Sequence, residues 1–317
     1  MSVKPLRIGT RASALALWQA RHVEALLRAH PGAPPVELVH IKTEGDIQSE
    51  VPLWQVGGRA FFTKEIDRAL LEGTVDLAVH SLKDLSTQLE SGLTLAATLP
   101  RADARDAFLS HDGRSLAQLP AGARIGTSSL RRRAFLARMR PDLEHVELRG
   151  NVPTRVERLR RGDYHAIILA AAGLARLNLS QHVSQLLAPE DFPPAVSQGI
   201  IGLCARANDA ATLRWLVPLD DRESRLAATA ERALLRRIEG GCQVPLGALA
   251  TVTDRLLRLE ATVCALDGSE SVTARGAAPA SVEEAAALGQ RVADELLARG
   301  AAGLIARARQ VPQGPAP

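Results

Sequence analysis

The sequence predicts an α/β fold: two α/β lobes with mostly parallel sheets, then a small C-terminal α+β domain. Three observations carry this. Short apolar runs alternate with helical stretches through the first half of the chain, the rhythm of β-α-β units with sheets covered by helices. The same rhythm restarts near residue 106. After Phe192-Pro193-Pro194 the chain changes character, ending in hairpin-like and helical segments. At 317 residues, with 46% hydrophobic and 23% charged residues, the chain can fill two or three cores,.

The elements follow in order. Leu6-Arg7-Ile8-Gly9 reads as a strand. Ser13 can cap a helix running through Leu15, Leu17, Trp18, Val23, Leu26 and Leu27 to a Pro31-Gly32 stop,. Val36 to Ile41 is a second strand. A glycine-containing loop with Gly57-Gly58 leads to a helix from about Thr63 to Glu72. Val75 to Val79 and Leu93 to Ala97 are further strands. In the second lobe, Arg124 to Thr127 is a strand that runs into a helix start at Ser128-Ser129. His145 to Leu148 is a strand, Val152 to Arg161 a helix, and Ala166 to Ala170 an apolar strand. Ile200 to Cys204 is expected to return as a strand to the first lobe. A long helix spans about Asp221 to Ile238, with Glu231 and Arg236 on its polar faces. Gly247 to Ala265 is hairpin material, and Val282 to Ala298 and Leu304 to Ala308 are helices. The expected domains are 1–99 with 200–217, 105–193, and 222–310. Lobes joined by such crossings resemble the binding-protein architecture.

Composition narrows the function. Aromatics are only 3% of the chain, too few for the base-stacking platforms of many nucleic-acid binders. The segment Met1 to Arg7 lacks the apolar core of a signal peptide, and no apolar stretch is long enough to span a bilayer,. A reducing cytoplasm is the expected compartment, with no membrane or nucleic-acid partner, and the chain is expected to be a monomer. The three cysteines, Cys204, Cys242 and Cys264, cannot all pair, and they show no zinc-type spacing,. Among the 39 basic residues, lysine supplies only Lys4, Lys42, Lys64 and Lys83; the rest are arginine. Eleven of these arginines fall between Arg124 and Arg161, with few acids among them. A guanidinium binds carboxylate or phosphate through a bidentate fork, so this stretch calls for an anionic partner.

In open parallel sheets, ligands bind outside the carboxyl ends of strands. Four polar clusters sit at predicted strand ends: Thr10-Arg11 with Ser13, His80 to Asp84, Thr127 to Arg132, and Arg149-Gly150-Asn151. They are expected to converge on one cleft. Thr127-Ser128-Ser129 opens a helix, where free N–H groups and the helix dipole favour anions. Asp84 beside Lys83 reads either as a surface pair or as a carboxylate in a cationic cleft that steadies a cation or takes a proton. Glu239-Gly240-Gly241-Cys242-Gln243-Val244-Pro245 puts a thiol between two glycines and a proline. That is either a helix C-cap with an incidental cysteine or a tight turn suited to attaching a group. No metal-ligand cluster, Walker motif or Gly-x-Gly-x-x-Gly occurs,.

Taken together and in this order, the segments resemble the hydroxymethylbilane synthase (porphobilinogen deaminase) family. The pieces are Arg7-Ile8-Gly9-Thr10-Arg11-Ala12-Ser13, Leu15-Ala16-Leu17-Trp18-Gln19-Ala20, Ala78 to Asp84, Gly126 to Arg132, Leu148-Arg149-Gly150-Asn151, and Glu239 to Pro245. The resemblance implies a three-domain transferase of tetrapyrrole biosynthesis. It joins four porphobilinogen molecules head to tail with release of ammonia, then hydrolyses the chain to hydroxymethylbilane. The primer is a dipyrromethane made from substrate and held as a thioether; this matches Cys242. The resemblance makes Asp84 the catalytic carboxylate. It assigns Lys83, Ser81, Thr127, Ser128, Ser129, Arg131, Arg132, Arg149 and Gly150 to the cofactor. Arg11, Ser13, Gln19, Arg149, Arg155, Arg176 and Gln198 go to porphobilinogen and the growing chain, and no residue to a metal. Departures from the family pattern stand at Ser86, Ala102, Ala104, Ser197, Cys204, Gln55 and Arg59, mostly in hinge or loop regions. A two-lobed carboxylate-binding protein without catalysis is the alternative.

Overall fold

In the computed structural model, residues 4–43, 63–238 and 244–310 are described. The first strands and helices are β1 (Leu6–Thr10), α1 (Ala14–Arg28), β2 (Val36–His40), α2 (Lys64–Leu71), β3 (Leu77–Ser81) and β4 (Leu93–Thr98). Then come β5 (Asp106–Ser110), β6 (Arg124–Gly126), α3 (Leu130–Met139), β7 (Glu144–Val146), α4 (Val152–Arg160), β8 (Ala166–Ala170), α5 (Ala171–Arg176) and β9 (Gln185–Leu186). The remainder is β10 (Ile201–Arg206), α6 (Ala210–Leu216), α7 (Arg222–Arg237), β11 (Leu246–Thr253), β12 (Leu256–Cys264), β13 (Ser271–Pro279), α8 (Val282–Ala298) and α9 (Ala301–Gln310). The described residues divide into two compact units, one of residues 4–43, 63–102 and 199–225, the other of residues 103–198, 226–238 and 244–310.

The first unit is built on a sheet ordered β2-β1-β3-β10-β4. Its β2-β1-β3 half is parallel, as the β-α-β rhythm predicts. The other half is antiparallel, because β10 returns from far along the chain and pairs with both β3 and β4. The apolar run of β3 suits this central place, buried on both faces,. Ser13 caps α1, its side chain accepting from Ala16 N. Gln19, Ala20, Val23 and Leu27 form the buried face of α1, a stripe at helical spacing. The core joins Ile8, Val23, Leu27, Leu77, Val79, Leu203 and Leu216, each such aliphatic stabilising the fold by about 1.5–3 kcal/mol.

The second unit contains two sheets. The larger is ordered β7-β6-β8-β5-β9. It repeats the pattern: β7-β6-β8 is parallel, while β5 pairs antiparallel with β8 and β9. Phe108, Ile125, Phe135, Leu136, Ile168 and Phe192 fill one side. The smaller sheet, β11-β12-β13, is antiparallel throughout. On β12, Leu257, Leu259, Ala261 and Val263 alternate inward and share a core with Leu288, Val292 and Leu296 of α8. Strand β13 extends the predicted hairpin to three strands, with register from Leu256↔Pro279 to Cys264↔Ser271.

Two residues behave otherwise than the sequence predicts. Glu231 is fully buried rather than on a polar face of α7. Its carboxylate accepts from the backbone N–H groups of Ser197 and Ala250, clamping the 195–198 segment and β11 to the helix. Glu231→Ala is therefore expected to lower unfolding free energy by about 2–6 kcal/mol, at about 1–3 for each buried donor left unpaired; denaturant titration measures it. Ser197 adopts φ of 63° with its side chain buried. That left-handed backbone suits glycine, the residue the resemblance leads one to expect at this position; nothing in the structure explains the serine,.

Candidate active site

In the first unit, the candidate residues gather at the carboxyl ends of β1 and β3. Thr10 is buried, and its hydroxyl bonds the carbonyls of Arg11 and Ala16, tying strand end to helix start. Arg11 and Ser13 follow, both half-buried. Gln19 is buried on α1 and donates from Nε2 to Ser81 Oγ at 2.8 Å, fixing the end of β3. Leu82–Asp84 then forms one 3-10 turn. Leu82 anchors it by burial and by donating its N–H to Ile200 O. The turn leaves Lys83 half-buried and Asp84 exposed. No described residue bonds or pairs with the Asp84 carboxylate.

His80, on β3 one residue before Ser81, was part of the predicted cluster but received no role. It is buried, and its Nε2 makes no hydrogen bond among the described residues. Burial, with Arg11 nearby, pushes its pKa down to about 4. A depressed histidine contributes stability above its unfolded pKa of about 6.5, and that contribution is lost as pH falls towards about 4,. His80→Gln is expected to flatten the pH dependence of unfolding in this window, measured by denaturant titration from neutral pH downwards.

In the second unit, β6 runs into Thr127, whose buried N–H donates to Val146 O. Ser128 Oγ donates to Leu148 O at 2.5 Å. Ser129 caps α3 by accepting from Arg132 N. Arg131 and Arg132 are buried, and both meet Asp106 at the start of β5. Burial lowers the Arg131 pKa, Asp106 opposes this, and Arg132 adds to it. Gln198, also buried, donates from Nε2 to Ala104 O and to Asp106 Oδ1.

Arg149 is half-buried, its pKa lowered by burial with Glu147 opposing. Gly150 holds φ of 106°, a turn that a side chain would strain,. Its carbonyl accepts from Arg155 Nε at 2.6 Å. Asn151 then caps α4 through Thr154 N. Arg176 closes α5, and burial lowers its pKa to about 10, leaving a cation at neutral pH. Much of the remaining arginine cluster is spent locally: Arg124 on Glu144, Arg140 on Asp142, Arg158 on Asp163, and Arg160 and Arg161 on Glu157.

Cys242 lies outside the described residues, as do Gln55, Arg59 and the predicted loop glycines Gly57-Gly58. The other two cysteines are buried. Burial pushes Cys264 up to about 11, and its thiol donates to Ala134 O. Asp106 is the site neighbour that the sequence analysis missed. Its only local signal is an aspartate opening an apolar strand. Among the described residues no group of His, Cys, Asp and Glu is placed to hold a metal. No described helix is long and apolar enough to cross a membrane.

The donor set suits a group carrying several carboxylates: arginines, hydroxyls and the N-termini of α3 and α4 supply cations and N–H or O–H donors. Fold and donor set together define a class: α/β proteins with arginines, hydroxyls and helix N-termini set at strand ends. Residues 6–214 match the family described as porphobilinogen deaminase, dipyromethane cofactor binding domain, and residues 225–298 match the porphobilinogen deaminase C-terminal domain. A porphobilinogen deaminase of Syntrophotalea carbinolica is 50% identical over 96% of this chain and 96% of its own. One from Roseiflexus sp. (strain RS-1) is 51% identical over 95% of this chain and 98% of its own. The chain belongs to the porphobilinogen deaminase family. Among solved structures, a nutrient binding protein from Burkholderia cenocepacia bound to methionine aligns with a TM-score of 0.43 at 15% identity, over 67% of this chain and 90% of that one.

Proposed function

We propose that this chain is a hydroxymethylbilane synthase. It condenses four porphobilinogen molecules head to tail, releases ammonia at each step, and hydrolyses the product to hydroxymethylbilane. The observation that carries the chemistry is Asp84, an exposed carboxylate beside Lys83 that no described residue occupies. On this reading the Asp84 oxygens lie against positive charge that builds up on porphobilinogen as ammonia leaves. They then accept the proton released from the pyrrole carbon once the new bond has formed. Lys83 holds a ligand carboxylate and orients Asp84.

The dipyrromethane group, when bound, supplies a nucleophilic pyrrole and a covalent tether. Lys83, Ser81, Thr127, Ser128, Ser129, Arg131, Arg132, Arg149 and Gly150 would hold it. Arg11, Ser13, Gln19, Arg149, Arg155, Arg176 and Gln198 would hold the substrate and the lengthening chain. Tethering keeps the product from leaving between additions. The attachment point is Cys242; burial of Cys204 and Cys264 argues against either as the reactive thiol,. The three-domain division drawn from the sequence, a cytoplasmic location and a monomeric state belong to the same reading.

Incubating the purified chain with porphobilinogen tests it. Expected is one ammonia released per porphobilinogen consumed, with hydroxymethylbilane as product. Binding without consumption would instead establish a carboxylate-binding protein.

A further inference from the structure

The Arg131–Asp106–Arg132 cluster contains more cation than anion. Arg131 Nη1 lies 2.7 Å from Asp106 Oδ2 and donates to Pro193 O at 2.7 Å. Arg132 donates from Nε and Nη2 to Asp106 Oδ1, at 3.0 and 2.7 Å, and from Nη1 to Ile168 O at 2.8 Å. Gln198 Nε2 approaches the same Oδ1 at 3.2 Å. Arg131, Arg132 and Asp106 are all buried, Asp106 completely. Among the described residues, Asp106 is the one carboxylate that either guanidinium meets. Two guanidiniums on one carboxylate leave a net buried positive charge, which costs several kcal/mol unless an anion compensates it. Nε and Nη2 of Arg131 make no hydrogen bond to a described residue. That edge of the fork remains available to a further acceptor.

We propose that Asp106 is a positioning residue. Seated at the start of β5, it locks Arg131 and Arg132 in a preset geometry that accepts one carboxylate of the bound ligand. Gln198 holds Asp106 in turn. The proposal rests on the reading that these arginines serve the carboxylates of dipyrromethane and porphobilinogen. A displacement of about 1 Å in such a fork can cost on the order of 100-fold in rate.

Charge and geometry make opposite predictions here. Removing the Asp106 charge makes the cluster more positive, which by Coulomb attraction alone tightens anion binding. Loss of positioning weakens it. Two variants separate these effects. Asp106→Asn removes the charge at constant size; Asp106→Glu keeps the charge but shifts the anchor by one methylene. Intact mass gives cofactor occupancy and its rate of gain on incubation with porphobilinogen. Circular dichroism shows that each variant is folded. Thermal shift with millimolar succinate, compared in the Cys242→Ser background that carries no adduct, reads carboxylate binding independently of the cofactor.

Expected are slower loading by on the order of 10- to 100-fold in both variants and loss of the succinate-induced shift in the folded protein. Parent-like loading in Asp106→Glu would reduce Asp106 to charge balance. A parent-like succinate shift in folded Asp106→Asn would reduce it to a structural role. Either result overturns the proposal. If Asp106→Asn does not fold, Asp106→Glu decides by the same readouts. A parent chain that never carries an adduct would refute the proposed function instead, and the succinate comparison would still decide the role of Asp106.

Discussion

Asp84→Ala is expected to lower the rate of porphobilinogen consumption by roughly 10²–10⁴-fold, the usual contribution of a positioned proton-transfer group. Stability should change little. The carboxylate is exposed and meets no described side chain, and surface substitutions of that kind usually stay within about 0.5 kcal/mol. The combination is diagnostic. A fold held by Leu82 and the Ile200 carbonyl keeps its turn when the neighbouring side chain is trimmed. The loss therefore falls on turnover rather than on folding. Steady-state kinetics with a parallel thermal melt measure both, and normal consumption by the variant removes Asp84 from the chemistry.

Cys242→Ser is expected to abolish stable attachment of the cofactor and with it nearly all product formation. A serine hydroxyl is a far weaker nucleophile than a thiolate near neutral pH. Neither remaining cysteine offers a substitute: both are buried, and Cys264 titrates only at about 11. The readout is the mass of the purified variant. A normally loaded Cys242→Ser chain would move the anchor elsewhere in the protein.

Local chemistry made much of this fold legible. Ser13, Ser129 and Asn151 cap their helices through side-chain oxygens, the role those residue types play at helix starts,. The apolar runs at Leu77–Ser81 and Ala166–Ala170 became central strands. What escaped is tertiary. β9 is two residues long and exists through pairing with β5. β13, rich in alanine with a glycine and a proline at its end, has weak strand propensity and is recruited by nine register pairs with β12,. The β11–β12 turn uses Asp254 and Arg255, both at positive φ, without the Asn-Gly signal that normally announces it,.

The candidate site divides in the same way. Gln19 and Ser81 sit 62 positions apart in sequence, yet they bond directly, as motifs at two strand ends allow. Asp106 and Glu231 were invisible because each works through partners that only folding brings near. An isolated acid in sequence reads as solvated surface. Here one gathers two buried arginines and the other two backbone N–H groups.

The central claim is a covalent, chain-extending synthase, and intact mass under denaturing conditions, before and after incubation with porphobilinogen, tests it most directly. The account predicts a resident dipyrromethane adduct that maps to Cys242 and then grows in discrete pyrrole steps. A chain that is unmodified at the start and stays unmodified would contradict it.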